Sequence, residues 1–157
     1  MLLEILLLLI SVITLLFLSF YFAGNLLAPG FQQCLLGSVC VRENCFQVEL
    51  AQTRIQRDKG LMYREKLDKD KGMLFIFDKE GIYPFWMKDT LIPLDIIWID
   101  GNNKIVFISH NVQPCKSLIC SSIIPPGPAK YVLEINAGLA VENQIKIGDV
   151  ADFKIKN

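Results

Sequence analysis

The sequence has little of what metal, nucleotide or nucleic-acid sites require. Its only histidine is His110, so there is no histidine cluster to hold a metal ion. The 16 basic and 16 acidic side chains balance, which gives no support for nucleic-acid binding. We find no Ser-His-Asp or Cys-His nucleophile signature, no phosphate-cradling glycine loop and no internal repeat. The sequence therefore predicts no metal, no cofactor, no nucleic-acid partner and no assignable catalytic residue.

Charge is also missing from the N-terminal part of the chain. No charged residue occurs from Ile5 to Ala23, and no lysine or arginine precedes Arg42. A helix over residues 5–23 would be about 28 Å long, close to the thickness of the hydrocarbon core of a bilayer. A cleaved signal peptide is the alternative. Such a peptide usually has a basic start and small residues at its cleavage site, whereas Phe20 to Phe22 are bulky. We predict that residues 1–23 are a single-pass transmembrane anchor or an uncleaved signal, with the lipid bilayer as partner.

The cysteines indicate the compartment of the remaining chain. Close pairs of cysteines behind an apolar leader favour an oxidising environment, so we expect the domain to lie outside the cell membrane. Cys115 and Cys120 are predicted to form a disulfide; the alternative is a zinc site that these two residues share with His110. The other cysteines are Cys34, Cys40 and Cys45. One pair of these three can bridge, which leaves one thiol free or bonded to another chain.

The rest of the chain divides into a linker and one domain. Residues 24–41 carry no charge and include Pro29 and Gly30, and we predict a linker over residues 24–44. Residues 45–157 are predicted to form a single β-rich domain. Apolar runs and alternations predict strands at Phe46 to Leu50, Gly72 to Phe77, Tyr83 to Thr90, Leu94 to Ile99, Lys104 to Ile108, Tyr131 to Ile135 and Val150 to Ile155.

Two short helices are predicted between these strands. Thr53 and Gln56 fit a capping box at the start of the first helix, which ends at Gly60. Asn136 is the expected cap of the second helix, over residues 137–142. Together these elements predict a mainly β fold with two short helices. Because most connections are too short for parallel crossovers, we expect the strands to be antiparallel. The architecture would be a compact antiparallel barrel or sandwich, preceded by one N-terminal transmembrane helix.

Several ordered motifs mark a family resemblance across the soluble part of the chain. They are Gly60 to Arg64, Gly72 to Phe75, Phe85 to Thr90 with Pro93-Leu94-Asp95, Tyr131 to Glu134 with Ala137-Gly138, and Gly148-Asp149. On these motifs the chain resembles the family catalogued as Domain of Unknown Function 192, whose prokaryotic members often carry a signal or a membrane anchor. Asp89 stands where that family has Asn. The resemblance implies a compact, mainly β fold outside the cytoplasm, and it brings no established activity, cofactor or catalytic residue.

The stretch from Phe85 to Asp95 carries unusually many polar groups for an apolar run. In one interpretation it forms a ligand pocket, with Trp86 as an apolar platform, Lys88 holding an anion and Asp95 holding a polar group. In the other it is structural, because Asp95 faces the same side as the apolar residues that follow it, and a buried carboxylate needs partners. Those partners would be Lys88 or backbone N–H groups near the bend at Pro93.

Glu134 and Arg64 complete the candidate binding residues. If Glu134 and Asp95 converge, two carboxylates would be available for general acid–base chemistry. The plainer roles for Glu134 are a cap or an ion pair with Arg64. The spacing of these residues along the chain does not decide between the two interpretations.

Three functions follow from these patterns. The first is a membrane-anchored extracytoplasmic module that binds a small molecule, a glycan or a partner protein through Trp86, Lys88, Asp95, Glu134 and Arg64. The second is a hydrolase that uses Asp95 and Glu134, with Lys88 stabilising charge. The third is a structural or assembly role in the cell envelope, through the membrane helix and the odd cysteine. We favour the first and expect no catalysis.

Overall fold

Seven strands form one mixed β-sheet within residues 36–155, the part of the chain that the computed structural model describes. In chain order the strands are β1 (Leu36–Val41), β2 (Asn44–Ala51), β3 (Lys71–Gly81), β4 (Leu94–Ile99), β5 (Ile105–Val112), β6 (Ala129–Asn136) and β7 (Ala151–Ile155). Two short helices accompany them, α1 (Arg54–Lys59) and α2 (Leu139–Glu142). Across the sheet the strand order is β5-β4-β6-β3-β2-β1-β7. The prediction of a mainly β fold with two short helices is confirmed.

β1 and β2 form an antiparallel hairpin that occupies part of the predicted linker. The register pairs Cys40 with Cys45, and a disulfide joins the two residues. Val39 and Val41 are fully buried because alternate residues of β1 face the core. The predicted linker over residues 24–44 is therefore wrong from residue 36 onward. An uncharged segment there belongs to the sheet, because the alternation of its valines gives it a buried face.

β2 and β3 pair in parallel, with Val48 opposite Gly72. Their connection contains α1, and its length permits a parallel crossover. The side chain of Thr53 accepts a hydrogen bond from the N–H of Gln56, and the Gln56 side chain accepts one from the N–H of Thr53. Gly60 ends the helix with a φ of 47°, so the predicted capping box and helix stop are confirmed. The expectation of a purely antiparallel sheet is wrong at this pair of strands.

The sheet does not close into a barrel. Its two edge strands, β5 and β7, approach each other at one end only, where Lys104 and Val150 form an isolated bridge. The N–H of Ile105 donates to the carbonyl of Asp149 at 2.8 Å beside this bridge. No ladder continues from it along the described parts of the two strands. The predicted compact antiparallel barrel or sandwich is therefore corrected to one open, mixed sheet.

β4 lies inside the sheet and is buried along its whole length. Ile97 and Ile99 pack on one face, whereas Ile96 and Trp98 pack on the other. The first apolar cluster also takes in residues of β1, β2 and α2, and we name it the helix-side core. The second takes in Leu61, Met87 and residues of β3 and β6, and we name it the loop-side core. The sheet thus separates two apolar cores, and side chains on neighbouring positions of one strand enter different ones.

The second helix begins later than predicted. Asn136 still belongs to β6, where it pairs with Leu94, and its side-chain amide donates to the carbonyl of Leu67 at 2.8 Å. The residue that precedes α2 is Gly138, with a φ of 88° and no side-chain hydrogen bond to the helix. Asn136 is therefore not a helix cap, because the strand pairing extends to it.

The predicted membrane helix over residues 1–23 and the cysteine at position 34 lie outside the described residues. Within residues 36–155, neither helix has the length and apolar character that crossing a bilayer requires.

Candidate ligand-binding pocket

Residues 84–92 form a loop, which we name the Trp86 loop, rather than the predicted strand. A turn closes inside it, because the N–H of Thr90 donates to the carbonyl of Met87 at 3.2 Å. Asp89 has a φ of 54°, in the left-handed region that no extended strand contains. The predicted strand from Tyr83 to Thr90 is therefore wrong: backbone pairing occurs only as isolated bridges, at Phe85 and Lys88.

The Trp86 loop is held by the Pro-rich segment that contains the second disulfide. Phe85 and Ile123 exchange two backbone hydrogen bonds, of 3.0 and 2.7 Å. The N–H of Cys115 donates to the carbonyl of Met87 at 3.1 Å. A disulfide joins Cys115 to Cys120, as predicted. The disulfide therefore braces the segment that supports the loop from outside.

A second set of contacts holds the loop to the chain that follows α1. The N–H of Tyr63 donates to the carbonyl of Asp89 at 2.8 Å, and the Tyr63 hydroxyl lies 3.1 Å from Asp89 Oδ2. Asp89, like Asn, tolerates a positive φ because its short polar side chain can bond locally. Met87 is buried and fixes the middle of the loop in the loop-side core. On either side of it, Trp86 is exposed and Lys88 is half-buried.

A narrow pocket lies between the Trp86 loop, the end of α1 and β6. Its buried lining is Leu61, Phe75, Thr90 and Glu134. Its rim is formed by Arg57, Asp58, Lys59, Trp86 and Lys88. The cavity volume is about 30 Å³, which is room for about one water molecule. A wider, open hollow of about 660 Å³ adjoins it and shares Trp86, Phe85 and Arg57.

Glu134 is the unusual member of this lining. Its residue is 4% exposed, and its Oε2 has no hydrogen-bond partner among the residues that the structure describes. Burial raises the pKa of Glu134 to about 8, because the charged form loses its hydration. The raised pKa favours the protonated form of the carboxyl group at neutral pH. β3 passes close to this residue: a Cβ at Gly72 would lie 2.6 Å from the carbonyl oxygen of Glu134, so only glycine fits there.

The rim carries mostly positive charge. Arg57 is engaged, since its guanidinium donates to the carbonyl of Ile76 at 2.9 Å and lies 4.9 Å from the centre of the Phe77 ring. The ammonium group of Lys88 lies 5.8 Å from the centre of the Trp86 ring. Over residues 36–155, no carboxylate is within ion-pair distance of Lys59 or Lys88. Two ammonium groups at the rim are thus available to a ligand.

Asp95 takes no part in this pocket. Its side chain is fully buried in the helix-side core, where Oδ1 accepts from the N–H of Asn111 and Oδ2 from the N–H of Ala140, each at 2.8 Å. Asp95 pairs with Ile135 in the ladder between β4 and β6, whereas Glu134 pairs with Ile96. Asp95 and Glu134 therefore project from opposite faces of the sheet, and the two carboxyl groups do not converge.

Arg64 also lies outside the pocket lining. Its guanidinium donates to the carboxylate of Glu49, with one distance of 2.6 Å. The predicted ion pair between Arg64 and Glu134 is therefore wrong, because a carboxylate on β2 takes its place. Of the five predicted binding residues, the structure brings together Trp86, Lys88 and Glu134.

Several residues of the pocket were not among the sequence candidates. Lys59 at the rim and Leu61 in the lining come from the end of α1 and the turn after it. Thr90 comes from the Trp86 loop. The only sequence signal for Lys59 and Leu61 is the family motif from Gly60 to Arg64, at the end of the predicted helix. No spacing rule connects that motif to Glu134.

Comparisons with known proteins agree with this fold. The model of the family described as DUF192, Uncharacterized ACR, COG1430 matches residues 38–153. A curated relative named UPF0127 protein, from Thermococcus sibiricus (strain DSM 12597 / MM 739), is 25% identical over 115 residues. That match covers 70% of this chain and 68% of the relative.

Two crystal structures share the architecture. A protein of unknown function from Novosphingobium aromaticivorans DSM 12444 is 34% identical, with a TM-score of 0.69 over 80% of this chain and 91% of that one. A protein from Sinorhizobium meliloti 1021, described as a candidate transcription regulator, is 33% identical, with a TM-score of 0.68 over 75% of this chain and 92% of that one. Since the family model also spans nearly all of the β-sheet, the chain belongs to the DUF192 family of uncharacterised proteins.

Proposed function

We propose that the domain binds a small polar ligand in the pocket at Glu134 and does not transform it chemically. One observation carries this proposal: Glu134 Oε2 is buried, has no hydrogen-bond partner within residues 36–155, and lines a pocket. An unpaired buried polar atom costs about 1–3 kcal/mol, so folding alone does not favour this arrangement. A ligand that supplies the missing hydrogen bond would recover that free energy.

Binding is favoured over hydrolysis because the pocket holds no pair of free carboxyl groups. Asp95 lies on the opposite face of the sheet with both oxygens occupied. Asp58 lines the rim of the pocket, but it is exposed and lies 3.6 Å from the guanidinium of Arg54. Acid–base hydrolysis by two carboxyl groups requires that both reach one bond. The role described for the Sinorhizobium relative is not carried over, since the charge balance gives no support for nucleic-acid binding.

The proposal includes the location of the domain. We place it outside the cell membrane, attached to the bilayer by residues 1–23. The two disulfides, Cys40–Cys45 and Cys115–Cys120, support an oxidising compartment. Before treatment, the protein should fractionate with the membrane. Protease added to intact spheroplasts should then degrade the domain. Complete protection of the domain would contradict this placement.

Ligand-observed NMR of the full-length chain in detergent micelles tests the binding function. A library of polar fragments should give hits whose signals weaken at least tenfold with Glu134→Leu, which fills the same space without a hydrogen-bonding group. Trp86→Ala should have a similar effect. Glu142→Gln changes an exposed carboxylate outside the pocket and is the matched control. If no fragment distinguishes the wild type from Glu134→Leu and Trp86→Ala, the proposed function is wrong.

A further inference from the structure

We propose that this pocket and its rim bind an acidic carbohydrate. In this arrangement a sugar hydroxyl enters the pocket at Glu134, the sugar ring lies on Trp86, and the acid group meets the ammonium groups of Lys59 and Lys88. The inference rests on the proposed function, which requires only some polar ligand. It adds the chemical class of that ligand.

The interior of the pocket selects the group that enters. A volume of about 30 Å³ admits one small group, and the buried side chains of Leu61 and Phe75 form apolar walls around it. A protonated carboxyl group both donates and accepts a hydrogen bond, as a hydroxyl group does. An ammonium group would require Glu134 to ionise in a buried site, and it would have to pass a mostly cationic rim. A hydroxyl group is therefore the better complement.

The charge of the rim selects an acid group on the same ligand. Arg57, Lys59 and Lys88 are cationic there, against the single carboxylate of Asp58. Asp58 already has Arg54 as a neighbour, whereas neither lysine has an ion-pair partner within the described range. A cluster of like charge at the mouth of a cavity attracts ligands of the opposite sign. The bottom of the pocket thus favours a neutral polar group and the rim favours an anion.

The aromatic side chains select a ring. Trp86 is 46% exposed at the junction of the pocket and the adjoining hollow, which leaves a large apolar surface for the C–H face of a sugar. Phe77 and Tyr83 line the hollow and stack on each other, with ring centres 3.6 Å apart. Its volume of about 660 Å³ is within the usual range of ligand sites. Further sugar units have room along these rings.

Isothermal titration of the full-length chain in detergent with galacturonic acid, galactose and acetate tests the inference. Galacturonic acid should bind, and galactose and acetate should each bind at least tenfold more weakly. Lys59→Met with Lys88→Met should lower the affinity for galacturonic acid at least tenfold and leave that for galactose unchanged. Lys154→Met, on the exposed part of β7, is the matched control. Equal affinity for acetate and galacturonic acid would contradict the inference, since charge alone would then explain binding.

Variants of Glu134 report on the hydrogen bond itself. Glu134→Gln should keep the affinity for galacturonic acid at pH 7 within about threefold, because an amide also donates and accepts. Glu134→Leu should reduce it at least tenfold, with the thermal unfolding of both variants confirming a folded chain. Loss of binding with Glu134→Gln would contradict the inference, because a neutral group that donates and accepts a hydrogen bond would then not be sufficient at this position.

Chain length distinguishes a free sugar acid from a polymer as the source of this chemistry. Trigalacturonic acid should bind more tightly than galacturonic acid if the ligand is a polymer that extends into the hollow, and equally if it is a free sugar acid; either result supports the inference. Failure of both compounds to bind, together with Glu134-dependent fragment hits, would overturn this inference and leave the proposed function in place. Failure of the acids and the fragments alike would overturn both.

Discussion

Two buried carboxyl groups lie on neighbouring strands of this protein, and they differ in every respect that matters for function. Asp95 on β4 and Glu134 on β6 are adjacent in the ladder but enter opposite cores. Asp95 accepts a backbone hydrogen bond at each oxygen, whereas Glu134 Oε2 accepts none from the described residues. Burial of a carboxyl group therefore does not mark a site by itself. A buried carboxyl group indicates a site when it lacks a hydrogen-bond partner and also lines a pocket.

The contrast has a structural cause. The donors for Asp95 come from the end of β5 and the start of α2, so the carboxylate ties both elements to β4. Glu134 faces the loop-side core, where the chain nearby is loop and the backbone donors are directed elsewhere. Asp95 is thus a structural residue. Glu134 is the group on which the proposed ligand site depends.

Removing Asp95 should produce the largest loss of stability. Asp95→Ala leaves the buried N–H of Ala140 and the partly buried N–H of Asn111 without an acceptor, so we expect the free energy of unfolding to fall by about 3 kcal/mol. Asp95→Asn, which retains one acceptor oxygen, should cost about half as much. Urea unfolding of the variants measures both. Asp100→Ala is the control. The N–H groups that donate to Asp100 lie in an exposed turn and can bind water instead. A loss below about 1 kcal/mol for Asp95→Ala would contradict the structural role.

Glu134 should make stability fall as pH rises. Its pKa is about 8 in the folded chain against an ordinary value of 4.5, so the folded state holds the proton more tightly. The stability that this proton contributes is fully present below the pKa of the unfolded chain and is lost as pH rises through the pKa of the folded chain. Between the two pKa values the free energy of unfolding should fall by roughly 1 kcal/mol per pH unit. Urea unfolding from pH 5 to 8 should show this slope in the wild type.

Glu134→Gln should remove that slope and stabilise the chain on the order of 3 kcal/mol at pH 8 relative to the wild type. Glu142→Gln, in an exposed position, should leave the slope unchanged. The same pH dependence in the wild type and in Glu134→Gln would show that another group is responsible.

The two disulfides should affect the pocket differently despite closing loops of the same length. Each joins cysteines five positions apart, so removing either should cost about 2 kcal/mol by loop entropy. Only Cys115–Cys120 supports the Trp86 loop, through the bond from Cys115 N–H to Met87. Cys115→Ser with Cys120→Ser should therefore weaken fragment binding several-fold, and Cys40→Ser with Cys45→Ser should not. Equal effects on binding would mean that the support of the loop is unimportant.

Local patterns in the sequence determined much of this structure. The predicted strands from Leu94 to Ile99 and from Lys104 to Ile108 correspond to β4 and β5. The capping box at Thr53 and the disulfide between Cys115 and Cys120 are also confirmed. Each depends on residues a few positions apart, whose geometry the backbone itself sets. The family motifs are likewise confirmed by the match over residues 38–153.

Only the tertiary structure decided where the functional groups meet. The sequence places Asp95 and Glu134 in two strands, but the register between those strands sends the side chains to opposite faces. It likewise does not reveal that Arg64 pairs with Glu49, or that Lys59 shares a pocket with Glu134. Contacts between residues far apart in the chain depend on strand order and register, which many local patterns permit equally well. The sequence by itself determined six of the seven described strands, the cap of α1 and the family, while packing decided that the Glu134 pocket exists.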